Sequence, residues 1–127
     1  MARPKTTELT TRELEVMHTF WESGPLPILE VREQLARAGR NLAYTTVATL
    51  VRILVDKGFL RQINELRPFI YQPIREYEEV SRRLLGDLVE RVFLGSREQL
   101  LVQLMEDKEL SARQRTLLQE FLREKPS

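Results

Sequence analysis

The segment from Ala43 to Pro73 limits the choice of fold more than any other part of the chain. Apolar residues recur at helical spacing along its first half, at Val47, Leu50, Val51 and Leu54. Gly58 follows them and suits the left-handed conformation in which many helices end. Two short stretches, FLRQI and FIYQP, then flank the turn-like NELRP. The segment therefore predicts a helix from about Thr45 to Lys57 followed by a β-hairpin.

Two further amphipathic helices are expected before this helix and hairpin. The first covers TTRELEVMHTFWESG, with Thr10 and Glu13 spaced as a capping box and with Gly24 at its end. The second covers PLPILEVREQLARAG, and the link through Leu26 between the two helices is able to pair as a short strand. Three helices followed by a two-stranded hairpin is the order of a winged helix-turn-helix domain. We predict that domain for residues 1–75.

The chain changes character after the hairpin, because residues 76–127 show only helical patterns. Three helices are predicted there, and Ser111 with Gln114 forms a second capping box before the last one. The first of the three has a broad apolar side made of Val80, Leu84, Leu85, Leu88, Val92 and Phe93. The predicted fold class is thus mostly α, with an N-terminal winged helix-turn-helix (three helices plus a β-hairpin wing) and a three-helix C-terminal region.

The C-terminal region carries many large apolar side chains for its length. About 50 residues alone would bury too small a fraction of their surface to be stable. We therefore predict that residues 76–127 form a homodimerisation domain, which would also supply a DNA-binding protein with its second half-site. The alternative is that these helices pack back onto the N-terminal domain.

Charge is unevenly distributed, although the net charge of the whole chain is only +1. The stretch 37–75 carries seven basic and two acidic residues. A local basic field on a nearly neutral protein indicates a polyanionic partner such as double-stranded DNA. An ordinary solvated surface is the competing interpretation of charge taken alone.

The predicted third helix has a polar stripe opposite its apolar face. Thr45, Thr49, Arg52 and Asp56 form this stripe, and Thr46 flanks it. Several β-branched threonines are unfavourable on a solvated helix. A threonine hydroxyl can bond a base edge while its methyl group packs on thymine. With Arg61 and Arg67 in the hairpin, the stripe predicts DNA contact, although Thr45 or Thr46 could serve only as an N-cap.

Enzymatic and secretory signals are missing from the sequence. His18 is the only histidine and there is no cysteine, so we predict no catalytic residues, no metal site and no cofactor. No apolar run is long enough for a membrane span and no secretory signal is visible, so we expect a cytoplasmic location.

A winged-helix module that binds proteins and not DNA stays as the alternative function. It would expose an apolar patch on the third helix.

Three blocks of the sequence resemble one known family. LTTRELEVMHTFWESGPLPILEVREQL, NLAYTTVATLVRILVDKGFL and FLGSREQLLVQLMEDKELS are similar to the penicillinase-repressor family (BlaI, MecI and CopY type), over roughly residues 8–123. The resemblance implies a dimeric repressor of resistance or stress genes that binds a pseudo-palindrome with TACA/TGTA-like half-sites. It places Thr45, Thr46 and Thr49 at base-reading positions. It places Tyr44, Arg52, Arg61 and Arg67 at positions facing the DNA backbone or the wing.

The sequence departs from the family pattern at two points. Copper-responsive members carry C-terminal cysteines, which this chain lacks, so copper sensing is not expected. In β-lactam-responsive members a sensor protease cuts an Asn-Phe bond in the fifth helix. The matching residues here are Gln103 and Leu104. They are the candidate cleavage site for such a sensor protease, and their departure from Asn-Phe leaves the inducing signal open.

Overall fold

The computed structural model describes residues 8–123. These residues fall into two compact units, and the boundary between them in the chain lies between Val80 and Ser81. The elements of the first unit, in chain order, are α1 (Thr11–Ser23), β1 (Leu26–Pro27), α2 (Ile28–Arg37), α3 (Tyr44–Asp56), β2 (Leu60–Gln62) and β3 (Ile70–Pro73). They are followed by α4 (Tyr77–Val92), α5 (Arg97–Met105) and α6 (Ala112–Arg123). The fold is mostly helical, as predicted, with a small antiparallel sheet.

Three strands form that sheet, in the order β1-β3-β2. Arg61 of β2 lies opposite Gln72 of β3, and Leu26 of β1 lies opposite Tyr71. The β2–β3 hairpin is the predicted wing, and the link through Leu26 pairs as a strand, as its sequence allowed. Because β3 is the central strand, the wing is joined by backbone hydrogen bonds to the segment that connects α1 with α2.

The core of the first unit lies among α1, α2, α3 and the sheet. Its fully buried members include Met17, Phe20, Val31, Val47, Val51, Leu54 and Leu60. Burying side chains of this size contributes about 1.5–3 kcal/mol each. Val47, Val51 and Leu54 were predicted to be buried from their helical spacing, and Val16 on α1 is also 0% exposed. Val16 and Met17 are adjacent in sequence and both buried, because α2, α3 and β3 together cover a wide face of α1.

Three of the predicted helix-end signals are present in the structure. Thr10 Oγ1 accepts from Glu13 N at 3.1 Å, and Thr10 N donates to Glu13 Oε1 at 3.0 Å, which completes the first capping box. Ser111 and Gln114 make the reciprocal pair before α6, at 3.1 and 2.8 Å. Gly58 follows α3 with φ of +85°, a conformation that costs glycine little.

The first compact unit extends five residues beyond the predicted limit at residue 75. Trp21 Nε1 donates to Arg75 O at 2.9 Å, and the Trp21 and Tyr77 ring centroids lie 5.3 Å apart. Val80 is buried as well, at 5% exposure. These contacts attach the first turn of α4 to the N-terminal unit. Residues 1–7 and 124–127, which the predicted domains include, lie outside the described range.

The second unit has little apolar core of its own. Among the described side chains of residues 81–123, Val89 is the only hydrophobic residue that is buried. Large apolar side chains are exposed on all three helices and their links: Leu85, Leu88, Val92, Leu94, Val102, Leu104 and Leu117. Within residues 8–123, no helix combines the length and the apolar character that crossing a membrane requires.

Candidate nucleic-acid interface

Helix α3 presents the predicted polar stripe to solvent. Thr45, Thr46, Thr49 and Arg52 are all exposed, whereas Val47, Val51 and Leu54 on the opposite side are buried. Leu50, predicted to be buried with them, is only partly covered. The amphipathic pattern has therefore turned the threonines outward, where their hydroxyl and methyl groups are accessible to a ligand.

The start of α3 rules out one alternative for the threonines. The N-cap is Ala43, whose backbone is extended with φ of −66° and ψ of 151°, and no side chain caps the helix. Neither Thr45 nor Thr46 is therefore the N-cap, because the helix starts at Tyr44, one residue earlier than predicted. The first backbone N–H groups of a helix have no acceptor within it. An uncapped helix start with exposed threonines is suited to an anion such as a phosphate.

Thr49 makes a local bond that leaves part of its hydroxyl available. Its Oγ1 donates to Thr45 O at 3.0 Å, the usual back-bond of a threonine within a helix. The hydroxyl proton is thus directed at the helix, while the oxygen lone pairs stay free to accept. In this rotamer Thr49 would act as an acceptor toward a base amino group, with its methyl group available for apolar contact.

Ion pairs divide the seven basic residues of the stretch 37–75 into two groups. Four are paired with carboxylates: Arg37 with Glu33 at 3.9 Å, Arg40 with Glu15 at 3.0 Å, Lys57 with Glu13 at 2.7 Å and Arg75 with Glu79 at 2.9 Å. The remaining three, Arg52, Arg61 and Arg67, make no ion pair within the described range. Within this stretch, the bases without an ion pair therefore lie on α3 and in the hairpin.

The pairing of Arg40 also affects the carboxylate that receives it. Hydrogen bonds from Arg12 and Arg40, together with the charges of both guanidinium groups, lower the pKa of Glu15 below its ordinary value, although partial burial acts in the opposite direction. Glu15 thus pairs with Arg40 at the surface of α1. The charge of Arg40, whose side chain is 51% exposed, is thus partly offset by Glu15.

The wing holds its two arginines in different ways. Arg61 lies opposite Gln72, whose amide oxygen, when turned toward it, accepts from Nε and Nη2 at 3.0 and 2.6 Å. Arg67 lies in the loop between β2 and β3, with its guanidinium carbon 5.2 Å from the centroid of the Phe69 ring. Stacking on an aromatic ring restricts an arginine without neutralising it.

Tyr44 and Arg67 come together at one cleft. It encloses about 520 Å³ and lies where the starts of α2 and α3 approach the wing loop. Tyr44 is 48% exposed at the start of α3, and Pro68 and Phe69 complete the wing side of the cleft. The structure thus brings a phenol and a guanidinium to the same edge, although 23 residues separate them in sequence.

Comparison with known proteins identifies the family. The model of the penicillinase repressor family matches residues 9–124. The transcriptional regulator BlaI of Mycobacterium tuberculosis is 36% identical over 104 residues, which cover 80% of this chain and 75% of that protein. The penicillinase repressor of Bacillus licheniformis is 24% identical over 94% of this chain and 93% of its own length. The methicillin resistance regulatory protein MecI of Mammaliicoccus sciuri is 24% identical over 84% and 86%.

This chain belongs to the penicillinase repressor family. The relatives are named as transcriptional regulators and repressors, so the family acts in transcription and not in enzymatic catalysis. The protein-binding alternative expected an apolar patch on α3. Among large hydrophobic side chains of α3, however, only Tyr44 is exposed within the described structure.

Asn64 also helps to form the wing, although the sequence analysis did not single it out. Its Oδ1 accepts from Ile70 N at 2.7 Å, and its Nδ2 donates to Leu66 O at 2.8 Å and to Pro68 O at 3.0 Å. One side chain therefore fixes the loop that carries Arg67. The only signal in the sequence was an asparagine at the start of a turn, a position that asparagine often occupies.

Gln103 and Leu104, the candidate cleavage pair implied by the family resemblance, lie near the end of α5. Both are exposed, Leu104 at 38%. Their backbone is helical on both sides of the bond that joins them. A protease that binds its substrate in an extended conformation would have to unwind this end of α5 first.

Proposed function

We propose that this protein is a homodimeric repressor that binds a pseudo-palindromic DNA operator through α3 and the wing. The observation that carries the proposal is the selective pairing of charges. Of the seven bases in residues 37–75, Arg37, Arg40, Lys57 and Arg75 pair with carboxylates, and the three without an ion pair in the described structure lie on α3 and the hairpin. These three arginines are available to contact a polyanion beside the exposed threonines of α3.

We assign base contacts and phosphate contacts to different side chains according to their chemistry. Thr45, Thr46 and Thr49 would read base edges in the major groove, because a small hydroxyl-bearing side chain lets the helix approach closely. Tyr44, Arg52, Arg61 and Arg67 would contact phosphates, which fix position but carry no sequence information. The family relationship supports control of resistance or stress genes, because its named relatives regulate penicillinase and methicillin resistance.

The proposed dimer is supported by the second unit. Its exposed leucines and valines, with Val89 as the only buried hydrophobic side chain described there, leave an apolar surface that water would cover in a monomer. A second copy of the same chain would cover it through a two-fold interface. Two N-terminal units would then bind two half-sites of one operator.

We further propose that any control by a sensor protease does not follow the Asn-Phe rule at Gln103 and Leu104. The pair keeps the amide-then-apolar order of Asn-Phe, but Gln103 is one methylene longer than Asn and Leu104 lacks the aromatic ring of Phe. Co-expression with a membrane sensor protease of the family, followed by mass measurement, should leave the Gln103–Leu104 bond intact. A fragment ending at Gln103 would contradict this.

DNA binding itself is tested by fluorescence anisotropy with the duplex that flanks the gene of this protein. We expect tight binding at low salt and a steep loss as salt rises, since each neutralised phosphate releases counterions. A scrambled duplex of equal length and composition is the control. Equal affinity for both duplexes, or no binding to either, would contradict a sequence-specific repressor.

A further inference from the structure

A second cleft lies in the N-terminal unit, away from the polar stripe of α3. It encloses about 840 Å³ between the end of α1, the end of β3 and the start of α4. Three aromatic rings and three carboxylates are prominent in its lining: His18, Trp21, Tyr77, Glu22, Glu76 and Glu78. No lysine or arginine lines this cleft in the described chain. Its volume is in the range of clefts that hold small molecules.

The three rings form a rigid wall. The Trp21 centroid lies 5.3 Å from both His18 and Tyr77, and His18 lies 5.8 Å from Tyr77. The indole N–H of Trp21 is held by Arg75 O at 2.9 Å, which fixes that ring. Tyr77 is 46% exposed, so part of the wall is open to a ligand. Aromatic faces are negative and attract organic cations.

Glu22 adds negative charge to the cleft from the end of α1. Glu76 and Glu78 lie at the start of α4, where the helix dipole favours carboxylates. Glu22 lies in the last turn of α1, the end where a carboxylate is unfavourable, and that turn has no basic residue. Glu22 and Glu76 make no ion pair within residues 8–123. The negative end of α1, the carboxylates and the rings therefore all favour a positive charge in the same cleft.

We propose that this cleft binds a small organic cation, with an ammonium or quaternary ammonium group attached to an apolar body. The cationic group would contact the carboxylates of Glu22 and Glu76, and the apolar body would pack on Trp21 and Tyr77. Proline side chains at positions 25 and 73 extend the apolar wall. None of the proposed DNA-contact residues lines the cleft, although Gln72, which bonds Arg61, does.

Trp21 makes the proposal directly testable, because it is the only tryptophan of the chain. The full-length protein is titrated with benzyltrimethylammonium and with choline while the emission of Trp21 is recorded. The neutral control is 3,3-dimethylbutan-1-ol, in which carbon replaces the choline nitrogen. Calorimetry with the same compounds provides a readout that does not depend on fluorescence. We expect saturable binding of both cations and at least about fivefold weaker binding of the neutral alcohol.

Two variants test the assignment of the cleft. Glu22→Gln keeps the shape of an exposed side chain and should weaken cation binding about fivefold. Tyr77→Ala should weaken it further, and thermal unfolding shows whether that variant is folded. Glu33→Gln, on α2 and outside the cleft, is the matched control and should leave affinity unchanged. Equal binding of choline and the neutral alcohol, or unchanged cation affinity in Glu22→Gln, would overturn the proposal.

Discussion

Lys57 Nζ lies 2.7 Å from Glu13 Oε1, and this contact joins the end of α3 to the start of α1. Both side chains are largely buried, with exposures of 13% and 5%. The same ammonium donates to Glu8 O at 2.7 Å, and the same carboxylate closes the capping box of α1. The orientation of the proposed DNA-reading helix thus depends on a carboxylate 44 residues away in sequence.

Replacing Glu13 by Gln should destabilise the N-terminal unit. Gln keeps an oxygen for the capping box but leaves the Lys57 ammonium buried without its counter-charge, which should cost about 2–3 kcal/mol of unfolding free energy. Urea unfolding followed by circular dichroism measures the difference. Glu33→Gln removes a carboxylate from an exposed pair at 3.9 Å and should change stability by less than about 0.5 kcal/mol. Equal effects of the two substitutions would contradict the role given to Glu13.

A carboxylate at position 49 should abolish operator binding without unfolding the protein. Thr49→Glu adds a negative charge to the exposed face of α3, and we expect a loss of roughly a hundredfold or more in affinity for the preferred duplex. Thr116→Glu on α6 is the control, since Thr116 makes the same back-bond at 3.0 Å. Anisotropy titrations are compared after light scattering has established the mass of each variant. Normal binding by Thr49→Glu would show that α3 does not read the DNA.

Removal of Arg67 should weaken binding to every duplex by a similar factor. A phosphate contact carries no sequence information, so Arg67→Ala should lower the slope of log affinity against log salt by about 0.9. Arg37→Ala is the matched control, because Arg37 is exposed and already lies near Glu33. Titrations at several salt concentrations give the slopes. A loss confined to the preferred sequence would mean that Arg67 reads bases.

The wing loop should lose its shape when Asn64 is replaced by Ala. Three hydrogen bonds from one side chain hold the loop, and without them the N–H of Ile70 loses its acceptor. We expect faster amide hydrogen exchange at Ile70 and a fall in DNA affinity comparable with that of Arg67→Ala. Asn64→Asp keeps the acceptor for Ile70 and should protect that amide while releasing Leu66 and Pro68. Unchanged exchange in Asn64→Ala would contradict the organising role of Asn64.

A chain that ends at Val80 should be monomeric. It keeps the buried core of the N-terminal unit and the contacts of Trp21 with Arg75 and Tyr77, but it lacks the apolar surface of residues 81–123. Light scattering should give the mass of one chain. Operator affinity should fall by roughly 10²–10⁴-fold, because the two half-sites no longer bind as one unit. A truncated chain that is dimeric, or that binds as tightly as the full chain, would place the dimer interface elsewhere.

The sequence was most informative where the spacing of apolar residues and the residues typical of helix ends indicated the same helix. The third helix and its end followed from Val47, Leu54 and Gly58, and the first helix followed from Thr10, Glu13 and Gly24, because these signals are local. The start of α3 at Tyr44 was not predicted, because its N-cap is Ala43, a residue without a capping side chain. Local patterns therefore gave the type of each element more reliably than its first residue.

Contacts between residues distant in sequence were beyond such reasoning. Nothing in the spacing of Glu13 and Lys57 indicates that they meet, and the counting of charges could not say which arginines are paired. The exposed stripe of α3 was predictable from helical geometry. The role of Asn64 was not, because its three partners depend on the conformation of the whole wing loop.

The pairing of four of the seven basic residues between positions 37 and 75 has a consequence for how such proteins are found. A net charge of +1 and an isoelectric point near 8.1 would not distinguish this chain from an ordinary globular protein in a proteome-wide survey. When the paired bases of this stretch are subtracted, Arg52, Arg61 and Arg67 are left, on α3 and the hairpin that follows it. A survey that counts only the bases without an ion pair in the structure would separate such a protein from others of the same net charge.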